Sequence, residues 1–492
     1  MPTPAAEPGA PAARSRRLPF VLAGAVWLLG GCASLVTPNA APSAVAVPAA
    51  WSGAAGMPVA GEATLAQWWL RLDDPMLAAL VSRALKANTS VTGAQAALRQ
   101  SRALRDVAAA GLLPVLGSSA SAQRNGGGGN SSNSFRAGLD ASWELDVFGE
   151  RRSAVDASTA SARASAAGLG DVMVSVAAEV ALDYITLRSA QERLAIAASN
   201  LALQQETLQI TRWREQAGLV TALEVEQARA ASEQTQAQLP ALQTSIDQTS
   251  HALAVLTGQP PAALLAELAP PGPLPQAPGN LALALPADTL RQRSDVRAAE
   301  YQVQAAFARV AQADAARLPS FKLGGSVGLN ALTLGALTNG AALAGALLAS
   351  VSLPIFDGGA MRAQVQAQQA ALVQAQVAYQ ATVLGALKEV EDALVALRGD
   401  RERVLRLQNA AGAAASAALM ARQRYSSGLV DFQTVLETQR TELGTQDNVA
   451  SARAAVSADH VRLYKALGGG WRPEPGDASR SAPEHVSMTP PP

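Results

Sequence analysis

Histidine, cysteine and aromatic residues are scarce in this chain, and each shortage excludes something. Three histidines and one cysteine among 492 residues do not assemble a metal centre at usable spacing, since protein metal sites draw on several such ligands together. A lone thiol also leaves no structural disulfide to form. Aromatics make up 4% of the residues against 49% hydrophobic overall, so the apolar content is mostly Ala, Leu and Val. Small side chains of this kind suit close helix packing better than the core of a compact enzyme. Lys+Arg 39 and Asp+Glu 39 cancel, and beyond the N-terminal segment there is no dense basic run. Nucleic acid is therefore not an expected partner.

What is present begins with an export signal. Arg14, Arg16 and Arg17 precede an apolar run, Leu18 to Leu29, too short to span a bilayer as a mature helix but suited to a signal-peptide core. The run closes in Leu29-Gly30-Gly31-Cys32, small residues before a cysteine as in a bacterial lipobox. Residues 1–31 are read as signal peptide and Cys32 as the lipidated N-terminus. Ala33 follows in place of the aspartate that resembles an inner-membrane retention signal, so the outer membrane is the expected destination. Residues 32–60, rich in Ala, Pro and Ser, read as a tether. Residues 471–492, rich in Pro and Ser, read as a disordered tail.

Two periodicities organise the rest. From Phe135 to Val147 apolar and polar residues alternate strictly, the period of a strand with one face of each kind. After Phe148-Gly149 the alternation gives way to heptad spacing: Met173, Val180, Leu187, Leu194, Leu201 and Leu208 recur every seventh residue. Leu182, Ser189, Ile196, Leu203 and Ile210 form a second row. Such a repeat predicts a long coiled-coil helix. It breaks at Gly218-Leu219-Val220, and Pro240 is expected to kink the return helix. Asp74-Pro75 predicts a helix start, with one helix then running to Leu113-Pro114.

The pattern then repeats. A helix from Leu290 to Arg317, alternating strands to Phe356, and a seam Val383, Leu387, Val390, Leu394, Leu397 and Val404 lead to a second break at Gly428-Leu429-Val430. The order is helix, hairpin, long helix, glycine turn, long helix, twice over. The first repeat covers 61–270 (hairpin about 114–148, long helices about 150–258) and the second 287–470 (hairpin about 319–356, long helices about 360–467), with a linker at 271–286. The charge-free run from Leu323 to Phe356 could instead suit a membrane helix, but Asn330, Thr333, Thr338-Asn339-Gly340 and further glycines interrupt it. Hairpins with one apolar and one polar face suit a barrel with lipid outside and water within. Four strands cannot close one, because free edges in lipid leave backbone groups unsatisfied; three copies would supply twelve.

Gly324-x-Ser326-x-Gly328 fits the spacing of a hydrolase nucleophile, but that chemistry needs a strand-to-helix turn at the serine, whereas here the alternation continues. No catalytic residue, metal or cofactor is expected beyond the covalent lipid on Cys32. Asp431, beside the second glycine turn, reads either as a helix-end carboxylate or, in a trimer, as one member of an acidic ring that concentrates cations.

Six stretches in order carry a family resemblance: Trp68-Trp69 with Asp74-Pro75, Trp143 to Gly149, Asp295 to Glu300, Leu353 to Gly359, Glu389 to Leu394, and Tyr464 to Trp471. Together they resemble the outer-membrane factors of tripartite efflux pumps, the TolC-like family, in its lipoprotein (NodT-type) branch. The resemblance implies a mainly α fold with transmembrane β-strands: a homotrimer whose twelve-stranded outer-membrane barrel continues as a long α-helical barrel across the periplasm. It further implies a passive, non-enzymatic export duct for drugs or other small solutes, docking a periplasmic adaptor and through it an inner-membrane pump. By position, gate and adaptor contacts would fall on Gly218, Leu219, Val220, Gly428, Leu429, Val430 and Asp431. Asp431 has no acidic twin at Thr221, and Ser294 stands where the branch usually has proline. The competing expectation is a periplasmic coiled-coil lipoprotein acting as scaffold or adaptor.

Overall fold

The computed structural model describes residues 46–52, 65–127, 130–277, 286–339 and 342–471. The signal peptide, Cys32, most of the tether and residues 472–492 lie outside them. A 3₁₀ turn, Trp68–Leu72, leads into helices α1 (Pro75–Ala87) and α2 (Thr89–Ala110), then strands β1 (Val115–Gly127) and β2 (Asn130–Leu145). Helix α3 (Glu150–Gln216) follows, with α4 (Ala222–Gln236) and α5 (Gln238–Leu256) returning from its far end. A short helix α6 (Leu265–Leu268) precedes the second half: α7 (Pro286–Gln292), α8 (Ser294–Ala315), β3 (Ser320–Ala331), β4 (Ala342–Ser352), α9 (Ala360–Ser426) and α10 (Phe432–Ala466).

The four strands form one antiparallel sheet in the order β1-β2-β3-β4. The helices that feed them pack in the same order, α2 on α3, α3 on α8, α8 on α9. Each helix thus continues its own strand, and sheet and helices form one wall. Gly138 and Gly328 face each other across β2 and β3. A Cβ on Gly328 would lie 2.9 Å from the Ala137 carbonyl oxygen, so the strands approach here only because both positions lack a side chain.

Helices α3 and α9 are 67 residues each, about 100 Å of rise. Each contains an 18-residue window apolar enough for a bilayer span, but at roughly three bilayer thicknesses they are coiled-coil rods, and α9 packs along α10 as α3 packs against α4 and α5. The first heptad row forms the buried seam, with Val180 and Leu187 fully buried and Leu201 and Leu208 nearly so. The second row is buried only at Ser189: Leu182, Ile196 and Leu203 are half-buried and Ile210 is exposed. Toward the far end its place is taken by polar residues, Thr207, Thr211 and Gln204, with Gln439 of α10 donating to the Thr207 hydroxyl at 3.0 Å.

The main core lies midway along the rods, where α1 and the ends of α5 and α10 meet α3. Trp68 is fully buried there, stacked on Tyr464 at 5.5 Å and met edge-on by Trp69. Several expectations are corrected around it. The helix expected from Asp74 to Leu113 is two, because Asn88 turns extended (ψ 135°) and its side chain accepts from Ser90 and Val91 N–H, capping α2. The helix expected from Leu290 is likewise broken at Arg293, whose buried guanidinium binds Asp295, Glu389 and the Ala466 carbonyl. The tether is not free throughout: Trp51 is buried, and Ser52 donates from both backbone and hydroxyl to Glu391. The described part of the linker is clamped, since Ser457 donates to the Pro275 carbonyl, and Arg188 holds the Pro270 carbonyl just before it. Pro240 acts one turn upstream, where the chain breaks at Ala237 between α4 and α5.

Candidate functional site

The glycine turns close α3 and α9 in the same way. Gly218 and Gly428 are left-handed (φ +73° and +75°). Gly218 N–H bonds the Glu215 carbonyl and Leu219 N–H that of Arg214, while Gly428 and Leu429 bond those of Tyr425 and Arg424. This nested pair is the Schellman cap that glycine permits. Gly258 and Gly468 repeat it at the other ends of the return helices. Each pair is 210 residues apart, so the internal duplication is preserved in the backbone bonds.

At the tips the two halves differ. Leu219 and Leu429 are each 74% exposed, bare apolar side chains at matching positions. Val220 is half-buried, and Val430 packs on a cluster of Leu208, Tyr425, Phe432, Val435 and Leu436. Asp431 is the N-cap of α10, accepting from the Thr434 N–H (2.9 Å) and hydroxyl (2.6 Å). Those bonds, the hydroxyl's first, hold its carboxyl below the usual range. Thr221 makes no equivalent cap bond. Arg214 crosses between the halves, donating to the Ser426 carbonyl at 3.0 Å, its guanidinium carbon 4.3 Å from the centre of the Tyr425 ring. Sequence reasoning missed this contact: Arg214 and Arg424 stand 210 residues apart, one before each turn, and nothing local distinguishes the one that crosses. Glu224 Oε2 and the Tyr425 hydroxyl are buried without a hydrogen-bond partner among the described residues.

At the opposite end the sheet has two chemically distinct faces. Arg136 bonds Asn330, Ser119 bonds Asp140, and Lys322 lies 3.6 Å from Glu144, a ladder of polar pairs set by the register of β1, β2 and β3. The other face carries Phe135, Leu139, Trp143, Val327 and Leu347. Ser326 lies mid-strand opposite Asp140, with no strand-to-helix turn, so the hydrolase spacing is a strand accident.

A wall of four strands with one apolar and one polar face, continued by rods about 100 Å long, is the build of an outer-membrane channel subunit. The chain belongs to the outer membrane efflux protein family, whose pattern matches residues 80–259 and 285–469. Nodulation protein T of Rhizobium leguminosarum bv. viciae is 30% identical over 456 residues, 92% of this chain and 94% of that protein. The pyoverdine export outer membrane protein OpmQ of Pseudomonas aeruginosa is 33% identical over 465 residues, 92% and 96% of the two chains. Among solved structures, the outer-membrane channel OprN superposes with a TM-score of 0.83 at 35% identity, covering 88% of this chain and all of that one. The open-state MtrE channel of Neisseria gonorrhoeae gives 0.77 at 29% identity, covering 88% and 97%. The protein is the outer-membrane channel of a Gram-negative efflux pump and not an enzyme, which displaces the scaffold alternative.

Proposed function

We propose that three copies of this chain close a twelve-stranded barrel and a continuous helical tube, forming a passive duct whose periplasmic end opens to release solutes outward. The observation that carries the reading is the pair of free sheet edges. Among the described residues, strands β1 and β4 each have a neighbour on one side only, and β4 is exposed along its whole length. Bare edges cannot stand in lipid, and pairing β4 of one copy with β1 of the next satisfies both. The half-buried second heptad row on α3 would gain partners in the same assembly.

The tips are the proposed gate and docking end. Leu219 and Leu429, with Gly218, Val220, Gly428 and Val430 shaping the turns, would meet an apolar groove on a periplasmic adaptor that connects the duct to its inner-membrane pump. Asp431 caps α10 and, repeated three times, would place a ring of carboxylates at the mouth that favours cations. Cys32 is proposed to carry the lipid anchor, with Trp51 and Ser52 fastening the tether to the core. Drugs and other small solutes are the proposed cargo; OpmQ is named for pyoverdine export and other relatives for toluene and antibiotic efflux.

Single-channel recording in planar bilayers tests the duct and ring together. Asp431→Asn keeps a capping oxygen and removes the charge, so conductance should persist with reduced cation preference. Unchanged selectivity removes the ring, and absence of any conductance, even after truncation of the tip turns, removes the duct.

A further inference from the structure

The wall formed by α2, α3, α8 and α9 contains a recess of about 660 Å³ just beyond the strands, within the usual range for small-molecule sites. It touches all four helices. Its place on the duct side belongs to the proposal: it opens to the lumen if the trimer closes as proposed with this face of the wall inward.

The recess is a product of sequence periodicity. On α3 its residues fall at 154, 157, 158 and 161, and on α8 at 309, 312 and 313 with the C-cap Ala316, one face of each helix at steps of three and four. Ala157 and Ala313 form a shallow floor where larger side chains would fill the space, and Gln364 and Gln368 of α9 flank it. Two charges mark its ends. Glu150 opens α3 at the strand end. Arg309 lies at the other end, donating to the Ser161 hydroxyl at 3.3 Å. Neither has an ion-pair partner among the described residues, whereas the neighbouring Arg151 and Arg152 are each matched to a carboxylate. The 11 residues from Glu150 to Ser161 correspond to about 16 Å of helix rise.

We infer that this recess is a solute-binding station for elongated zwitterions, taking an ammonium at Glu150 and a carboxylate at Arg309, with the alanine floor and amide flank receiving the uncharged middle. The inference rests on the duct reading. A station inside a duct works only if it holds solute weakly enough to release it, and two partly hydrated charges separated by small apolar residues meet that condition.

The test uses purified full-length protein in detergent and isothermal titration calorimetry with penta-alanine. Its free termini stand about 16 Å apart when extended, at ~3.3 Å per residue. The free peptide is expected to bind, and N-acetylation or C-amidation should each weaken binding about tenfold. Glu150→Gln should weaken the free peptide but not the acetylated one further; Arg309→Gln should do the same against the amidated one. Ala157→Trp, which fills the floor and leaves both charges, should abolish binding. Equal affinity for all three peptides, or affinity indifferent to both charge substitutions, overturns the station. Conductance of the unsubstituted protein separates the two readings: a conducting protein that fails the binding test keeps the duct, and a binding protein that never conducts keeps the recess as a ligand site and removes its place in a duct.

Discussion

Arg214, at the end of one long helix, holds the carbonyl of Ser426, at the end of the other, at 3.0 Å. Its repeat counterpart, Arg424, has no such bond among the described residues, so the duplicated tips are joined by one arginine and not two. A charged hydrogen bond of this kind is worth about 1.5–3 kcal/mol and an exposed cation–π contact about 0.5–1 kcal/mol. Arg214→Ala should therefore speed amide hydrogen exchange in both tip turns about tenfold or more, while Arg424→Ala should leave it near the parental rate. Equal effects would show that the strap is not what joins the turns.

The two left-handed glycines of the first repeat should tolerate alanine very differently. Either substitution costs about 1–2 kcal/mol in backbone strain. At Gly218 nothing lies within 4 Å of an added Cβ, whereas at Gly258 the Ala87 carbonyl oxygen would be 2.5 Å away. Thermal unfolding should show Gly218→Ala lowered by that strain alone and Gly258→Ala lowered clearly further, because only the second forces α1 off the end of α5.

The sheet register makes neighbouring residues of β4 opposite in character. Leu347 pairs with Gly325 on the apolar face and Ala346 with Ser326 on the polar one. Lysine at the middle of a lipid face costs about 2–4 kcal/mol. Leu347→Lys should deplete the protein from outer-membrane fractions, and Ala346→Lys should accumulate nearly as the parent does. The reverse order would mean the sheet faces the other way.

Asp183 on α3 has its carboxyl pushed up to about 6 by burial, with the Glu179 carboxylate one turn earlier adding to the effect. In the unfolded chain it titrates near its ordinary value of about 3.9. Between these values the native state binds more protons, so the group's contribution is fully present below about pH 4 and is lost as pH rises through about 6. Asp183→Asn should raise the melting temperature at pH 7.5 by about 1–2 °C, the partial exposure of the side chain keeping the gain small. The gain should shrink at pH 4.5 and disappear by about pH 3.5. An equal gain at all three values would assign it to packing.

The sequence by itself determined the local grammar of this protein. Alternation from Phe135 to Leu145 could only be a two-faced strand, the row from Val180 to Leu208 only a coiled-coil seam, and Gly218 and Gly428 the points where such rods turn, because each follows from the period of a backbone or the sterics of a missing Cβ. The duplication was legible for the same reason: identical local requirements recur at a fixed offset. What the tertiary structure decided depends on distant partners. Asn88 breaks its helix while bonding Leu256 across 168 residues. Arg293 ends another by reaching Glu389 and Ala466. Trp51 folds back from the tether into the core. Asp431 is a cap because Thr434 follows it, yet the strap beside it is Arg214 of the other repeat. The recess between Glu150 and Arg309 exists because β1-β2-β3-β4 and α2-α3-α8-α9 share one order, which brings together faces that are far apart in the chain.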